Sequence, residues 1–315
     1  MDGVVFVGQD WWGWIIAGYL FLGGMAGASV PVAYYFWYRD GNKLVNYSGG
    51  IVAFLAMLVG VVLLVMDLGS PGNVMALATS PRLNLGSWMT IGTYIITLYM
   101  VATLAYTLQF APNSSGLLAR LKLARRNVTL LGLVTSALGL ATAAYTGFLL
   151  AAARGVQFWN NPMLPVLFLA SATSSGLCGT YCGIVAPILS WRVPQYKQVG
   201  TRVRLAIQRF EVYVLIGELF LLFAFLDIAL WGPPGAAGPA REILYGSLAP
   251  AFWIGVVIIG IVLPLALLLG YTLWVKEENF RVELASALVG WAVVIGGLLL
   301  RFIVLDSGVI AVPLP

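Results

Sequence analysis

The chain has 315 residues, 61% hydrophobic and only 9% charged, with a mean hydropathy of +0.94 and a formal net charge of +5. That balance excludes an ordinary soluble fold, and the recurring apolar runs of about twenty residues are those of spanning helices, not the ten-residue alternation of an outer-membrane barrel. Histidine is absent, which removes the usual ligands of a membrane b-type haem and the commonest ligand of zinc and non-haem iron, so no haem and no metal are expected in this chain.

Hydropathy and breaker residues predict eight spans near 11–37, 47–67, 87–110, 128–152, 160–190, 206–231, 248–274 and 282–304. The segment before the first span, MDGVVFVGQD, is acidic and does not read as a cleaved signal peptide. An even number of spans puts both termini on one side. The connections after spans one, three, five and seven carry Arg39 and Lys43, then Arg120, Lys122, Arg125 and Arg126, then Arg192, Lys197, Arg202 and Arg204, then Lys276 and Arg281; the other side carries only Arg82, Arg154, Arg241 and Arg301. The positive-inside rule then directs the termini to the extracytoplasmic side of the membrane. The basic excess is this topological signal, and no nucleic-acid partner is implied.

Span one opens on Asp10, Trp11 and Trp14, an interfacial aromatic belt preceded by an acid. Gly23, Gly24 and Gly27 follow as a small-residue face that lets another helix approach closely. Span two ends MDLGSPG: Asp67 lies at its outer end, where Gly69, Pro71 and Gly72 stop the helix, with Arg82 in the next connection as a partner for the carboxylate. Between spans four and five runs YTGFLLAAARGVQFWNNPMLP. Tyr145 lies roughly 10 Å below the break if the helix is regular, deep enough that its hydroxyl needs a partner or a ligand. Trp159 and Asn160 sit in the break itself.

Cys178 and Cys182, four apart on span five, read as small packing residues. Span six carries three acids. Glu211 and Glu218 share a face about 10 Å apart along the axis, with Arg209 close in sequence to Glu211, and Asp227 is nearer the outer end. Intramembrane acids are candidates for a proton path, the alternative being ion pairing within the bundle. A faint duplication sets Leu20–Leu22 against Leu167–Leu169 and Asp67 against Asp227. It predicts an all-α integral membrane protein of two four-helix bundles, residues 1–152 and 153–315, within one membrane domain.

Asp10, Trp14, Asp67, Tyr145, Trp159 and Asn160 come from separate stretches yet fall at similar depth on one side, and an aromatic pocket with a few hydrogen-bonding groups suits a quinone ring. The segments YLFLGGMAGAS, LLVMDLGSPGN with SPRLNLGSW, and YTGFLLAAARGVQFWNNPMLPVLFLASATSSGL resemble the polysulfide-reductase membrane subunit family, the NrfD-like proteins. The resemblance implies a haem-free anchor that passes electrons between membrane menaquinone or another quinone and an extracytoplasmic, ferredoxin-like iron–sulfur subunit. The clusters and a molybdopterin then belong to partner subunits acting on sulfur compounds. It implies further that Tyr145 binds a quinone oxygen and that the start of span one forms the facing wall. Some relatives have a histidine near the start of span one where this chain has DWWGW, which leaves Asp10 as the substitute proton donor. The rivals are a secondary transporter, which also uses duplicated bundles and buried acids but centres its site near the midplane, and a passive scaffold with no quinone affinity.

Overall fold

The structure, a computed structural model, describes residues 4–9, 12–67, 88–112, 122–185, 201–274 and 280–313. A backbone in hydrocarbon must satisfy its polar groups internally, and the chain does so in eight helices long and apolar enough to span a membrane. They are α1 (Trp14–Asp40), α2 (Lys43–Asp67), α3 (Trp88–Leu108), α4 (Arg125–Ala151), α5 (Met163–Val185), α6 (Thr201–Leu230), α8 and α9 (Phe280–Asp306), with a short α7 (Pro234–Tyr245) between the sixth and seventh spans. Helix α8 begins π-helical over Ala251–Val262 and continues as an α-helix over Leu263–Trp274.

The eight expected spans are all present. The sequence reading did not anticipate α7, the π-helical opening of α8, or a two-stranded antiparallel ribbon between β1 (Val4–Gly8) and β2 (Val309–Pro313), paired from Val4 with Pro313 to Gly8 with Val309. The ribbon puts both ends of the chain on one face, here called the terminal face. The opposite face holds the α1–α2 turn. There Gly41 takes φ 72°, its N–H bonds the Trp37 carbonyl at 2.8 Å, and the Asn42 side chain accepts from the Leu44 N–H at 3.0 Å. Glycine adopts this left-handed conformation without a Cβ clash, and asparagine caps the helix that follows.

Two rings of four helices result. Helices α1, α2, α3 and α4 pack in sequence around one core, α5, α6, α8 and α9 around the other, and α1 lies against α5 where the rings meet. Helix α1 is the most enclosed span, because its small residues let neighbours come close. A Cβ on Gly27 would strike the Gly139 carbonyl of α4 and stand 2.9 Å from the Ala143 nitrogen. Close backbone approach of this kind replaces the hydrophobic drive that lipid does not supply. Polar side chains fix the register: Tyr99 donates to the Ala26 carbonyl, and the Asn46 amide donates to the Tyr106 hydroxyl. The cysteines pack as expected, with Gly290 of α9 against both.

Candidate functional site

Three spans bring aromatic and small residues together just beneath the terminal face. Tyr145 is six residues before the end of α4, Tyr19 five after the start of α1, and Gly92 four after the start of α3. At 1.5 Å per residue all three lie about 6–9 Å below that face. Tyr145 is buried at 5% exposure and Tyr19 at 3%, and the two side chains lie near one another. The Tyr145 ring fills the space a side chain at Gly92 would take, so Gly92 is glycine because the ring needs its place. Among the described residues the Tyr145 hydroxyl has no hydrogen-bond partner.

Around this pair the rim is open. Trp14 is 67% exposed, Asp67 is exposed at the end of α2, and Trp88 stacks on Phe148 with centroids 5.8 Å apart. Asp10, Trp11, Arg82 and the DLGSPG turn beyond Asp67 lie outside the described residues. Of the expected site residues, then, Tyr145, Trp14 and Asp67 all belong to the terminal-face end of the first ring.

Trp159 and Asn160 lie elsewhere. Trp159 is fully buried, stacked on Trp12 at 5.4 Å, and donates its indole N–H to the Val304 carbonyl of α9 at 2.7 Å. Asn160 is exposed and lines a cavity of about 190 Å³ with Asn161, Ala229 and Pro233. Beside them Gln157 accepts from the Gly235 N–H at 3.0 Å, the Asn161 side chain donates to the Phe225 carbonyl at 3.1 Å, and Val156 bridges Ile310 of β2. The FWNNP break is thus a clamp that ties the α4–α5 turn to α6, α7 and α9. Trp159→Phe keeps the stacking but leaves the buried Val304 carbonyl without its donor. The expected cost is about 1–3 kcal/mol, read as a lower unfolding temperature in detergent; an unchanged transition would show the indole bond to be dispensable.

The second ring encloses a polar line at mid-depth. Arg301 is fully buried, although the sequence reading placed it among the outer connections. Its guanidinium donates to the Ser171 hydroxyl, to the Gly297 carbonyl at 3.1 Å and to the Phe168 carbonyl at 3.0 Å, and lies 4.7 Å from the Phe168 ring centroid. It faces Glu218, which accepts from Ser174 at 2.8 Å. Two turns further from the terminal face, Glu211 and Gln208 flank a cavity of about 20 Å³ with Cys178 and Ser286. Both Glu211 oxygens and both Gln208 amide atoms are buried without a nitrogen or oxygen partner among the described residues. A space of that size with such walls accommodates one water molecule.

The structure sets Arg209, the ion-pair partner of Glu211 in the alternative reading, and Asp227, a candidate for the proton path, apart from this line. Arg209 is exposed and lines a groove with Tyr35 and Arg39, so it does not serve Glu211, and Asp227 is exposed on α6 away from the line. Sequence reasoning missed Tyr19, Gly92, Ser171, Ser174 and the depth of Arg301. Tyr19 had a signal, a tyrosine within one residue of the same distance from its helix end as Tyr145 from its own; Gly92 had none. Among the described residues no three His, Cys, Asp or Glu side chains cluster as a metal site.

Comparison with known proteins covers the same ground from end to end. A family model described as polysulphide reductase, NrfD, matches residues 6–313. The chain is 30% identical to the C subunit of the Wolinella succinogenes polysulfide reductase over 310 residues, 94% of each protein. It is also 30% identical to the Protein NrfD homolog of Haemophilus influenzae, covering 96% of this protein and 95% of that one, and to Protein NrfD of Escherichia coli, covering 96% of each. With eight spans in two rings and a match that runs from β1 to β2, the chain belongs to the NrfD polysulphide reductase family.

Proposed function

We propose that the chain is the quinone-reactive membrane subunit of a respiratory oxidoreductase complex. A quinol headgroup binds beside Tyr145 beneath the terminal face, with that face extracytoplasmic. The observation that carries this is the Tyr145 side chain, 5% exposed and seated near Tyr19 and Gly92 with no hydrogen bond to its hydroxyl among the described residues, since a phenol at that depth is suited to a ligand oxygen. Oxidation of the quinol releases two electrons and two protons. The electrons leave to an iron–sulfur subunit docked on the terminal face, and from there to a molybdopterin subunit that reduces polysulfide or a related sulfur acceptor. Asp67, exposed at the rim, passes protons to water, with Asp10 as its companion. Of the described basic residues near the span ends, Arg39, Lys43, Lys122, Arg125 and Arg126 sit at the opposite face against Arg154 and Arg241 at the terminal face, an excess that supports the orientation.

The test is Tyr145→Phe. The hydroxyl bonds nothing described in the protein, so its loss costs the fold little, while quinol turnover falls about ten- to a hundredfold with the lost ligand bond. Unchanged turnover and quinone binding would remove Tyr145 from the mechanism. A second reading, secondary transport, draws on the mid-depth line from Arg301 to Glu211. In the quinone reading that line is a proton route across the second ring. Uptake of a solute by the isolated chain in liposomes favours transport, and copurification with a cluster-bearing subunit favours the quinone subunit.

A further inference from the structure

The opposite face carries a cavity that the quinone chemistry does not use. It lies where α1 ends, α2 begins, α3 ends and α4 begins, and measures about 760 Å³. Its floor is apolar: Trp37 and Phe110 meet edge to face at 5.1 Å, with Val128 beside them. Its mouth carries three exposed cations, Lys43, Lys122 and Arg125, each from a different segment. Among the described residues none that lines it is acidic. The nearest carboxylate along the chain, Asp40, is already engaged by Arg39 at 3.2 Å.

A soluble anion would gain nothing from the aromatic floor, and a neutral hydrocarbon nothing from three cations. A molecule with a phosphate at one end and acyl chains at the other uses both. The cavity also stands at the level where headgroups lie, at the ends of four spanning helices. Basic pockets between spans on the Lys- and Arg-rich side are suited to anionic headgroups, and each cation near the surface adds a similar increment. We propose that this cavity binds one anionic phospholipid, its phosphate among Lys43, Lys122 and Arg125 and the start of its acyl chains on Trp37 and Phe110.

The experiment is native mass spectrometry of the detergent-solubilised chain titrated with phosphatidylglycerol or with phosphatidylcholine of the same acyl chains. One phosphatidylglycerol is expected to bind at least tenfold more tightly than phosphatidylcholine. The double substitution Lys43→Ala with Arg125→Ala removes two of the three cations and is expected to lower that affinity about thirtyfold while leaving phosphatidylcholine binding unchanged. Leu123→Trp, at a half-exposed position of the lining, narrows the floor without touching the charges and is expected to weaken both lipids. Equal affinity for the two lipids overturns the proposal, as does an unchanged phosphatidylglycerol affinity in the double variant. Displacement of the lipid by millimolar inorganic phosphate reassigns the cavity to a free anion and overturns it too. Quinol turnover is read in parallel, and its value bears only on the terminal-face site.

Discussion

Arg301→Ala is expected to destabilise the helical assembly by about 3–5 kcal/mol, the scale of a large-to-small substitution in a core that also removes hydrogen bonds from a charged group. The loss has three parts. The Ser171 hydroxyl loses the donor it accepts from, and the Phe168 and Gly297 carbonyls lose a second donor beyond the backbone N–H that each keeps in its helix. Glu218 loses the charge it faces. A fully buried long side chain leaves a void between α5 and α9. Arg301→Lys separates these parts, because it keeps a positive charge but is a point donor that cannot reproduce a planar fork aimed at separate acceptors. It is expected to recover only part of the loss. Thermal unfolding in detergent reads both variants, and a transition within a few degrees of the parent protein for Arg301→Ala would show the guanidinium not to hold the second ring together.

Gly92→Ala is expected to lower quinol turnover about a hundredfold, the scale on which a small misplacement of a positioned group acts. The added methyl overlaps the ring and hydroxyl of Tyr145, and that ring is buried among α1, α3 and α4 with nowhere near to go. Overpacking alone costs about 1–3 kcal/mol, so turnover is measured on folded protein. Two substitutions that act through one phenol are not additive. The pair Gly92→Ala with Tyr145→Phe is therefore expected to be little worse than Gly92→Ala by itself. Full multiplication of the two effects would mean that Gly92 acts elsewhere.

Much of the architecture was readable from hydropathy, because an apolar run of spanning length in a chain this poor in charge has one physical use. The DGN turn after α1, which the sequence reading passed over, is as local a signal, needing only a glycine for the left-handed step and an asparagine to cap. What else escaped reading depends on partners distant in sequence. Arg301 looked like a residue of an outer connection, since its depth is set by Ser171, Phe168 and Glu218, none of which its neighbours along the chain announce. Trp159 and Asn160 were grouped with Tyr145 because all three fall at similar depth on one side of the membrane. The turn at Ala152 to Pro162 instead directs the indole to α9 and leaves the amide beside α6 and α7. The π-helical opening of α8 is apolar throughout and carries no periodicity that separates it from an α-helix. Tyr145 was legible for the opposite reason: a phenol one turn and a half from a helix end announces its own depth.

The ribbon between β1 and β2 has a consequence for biogenesis. Val4 to Gly8 leaves the ribosome first among the described elements, yet its hydrogen-bonding mate, Val309 to Pro313, emerges only after every span has been made. Pairings so remote along the chain close late. Until then the early strand waits with unmet amides, in the proposed orientation on the far side of the bilayer from its source, within reach of any chaperone or assembly partner stationed there.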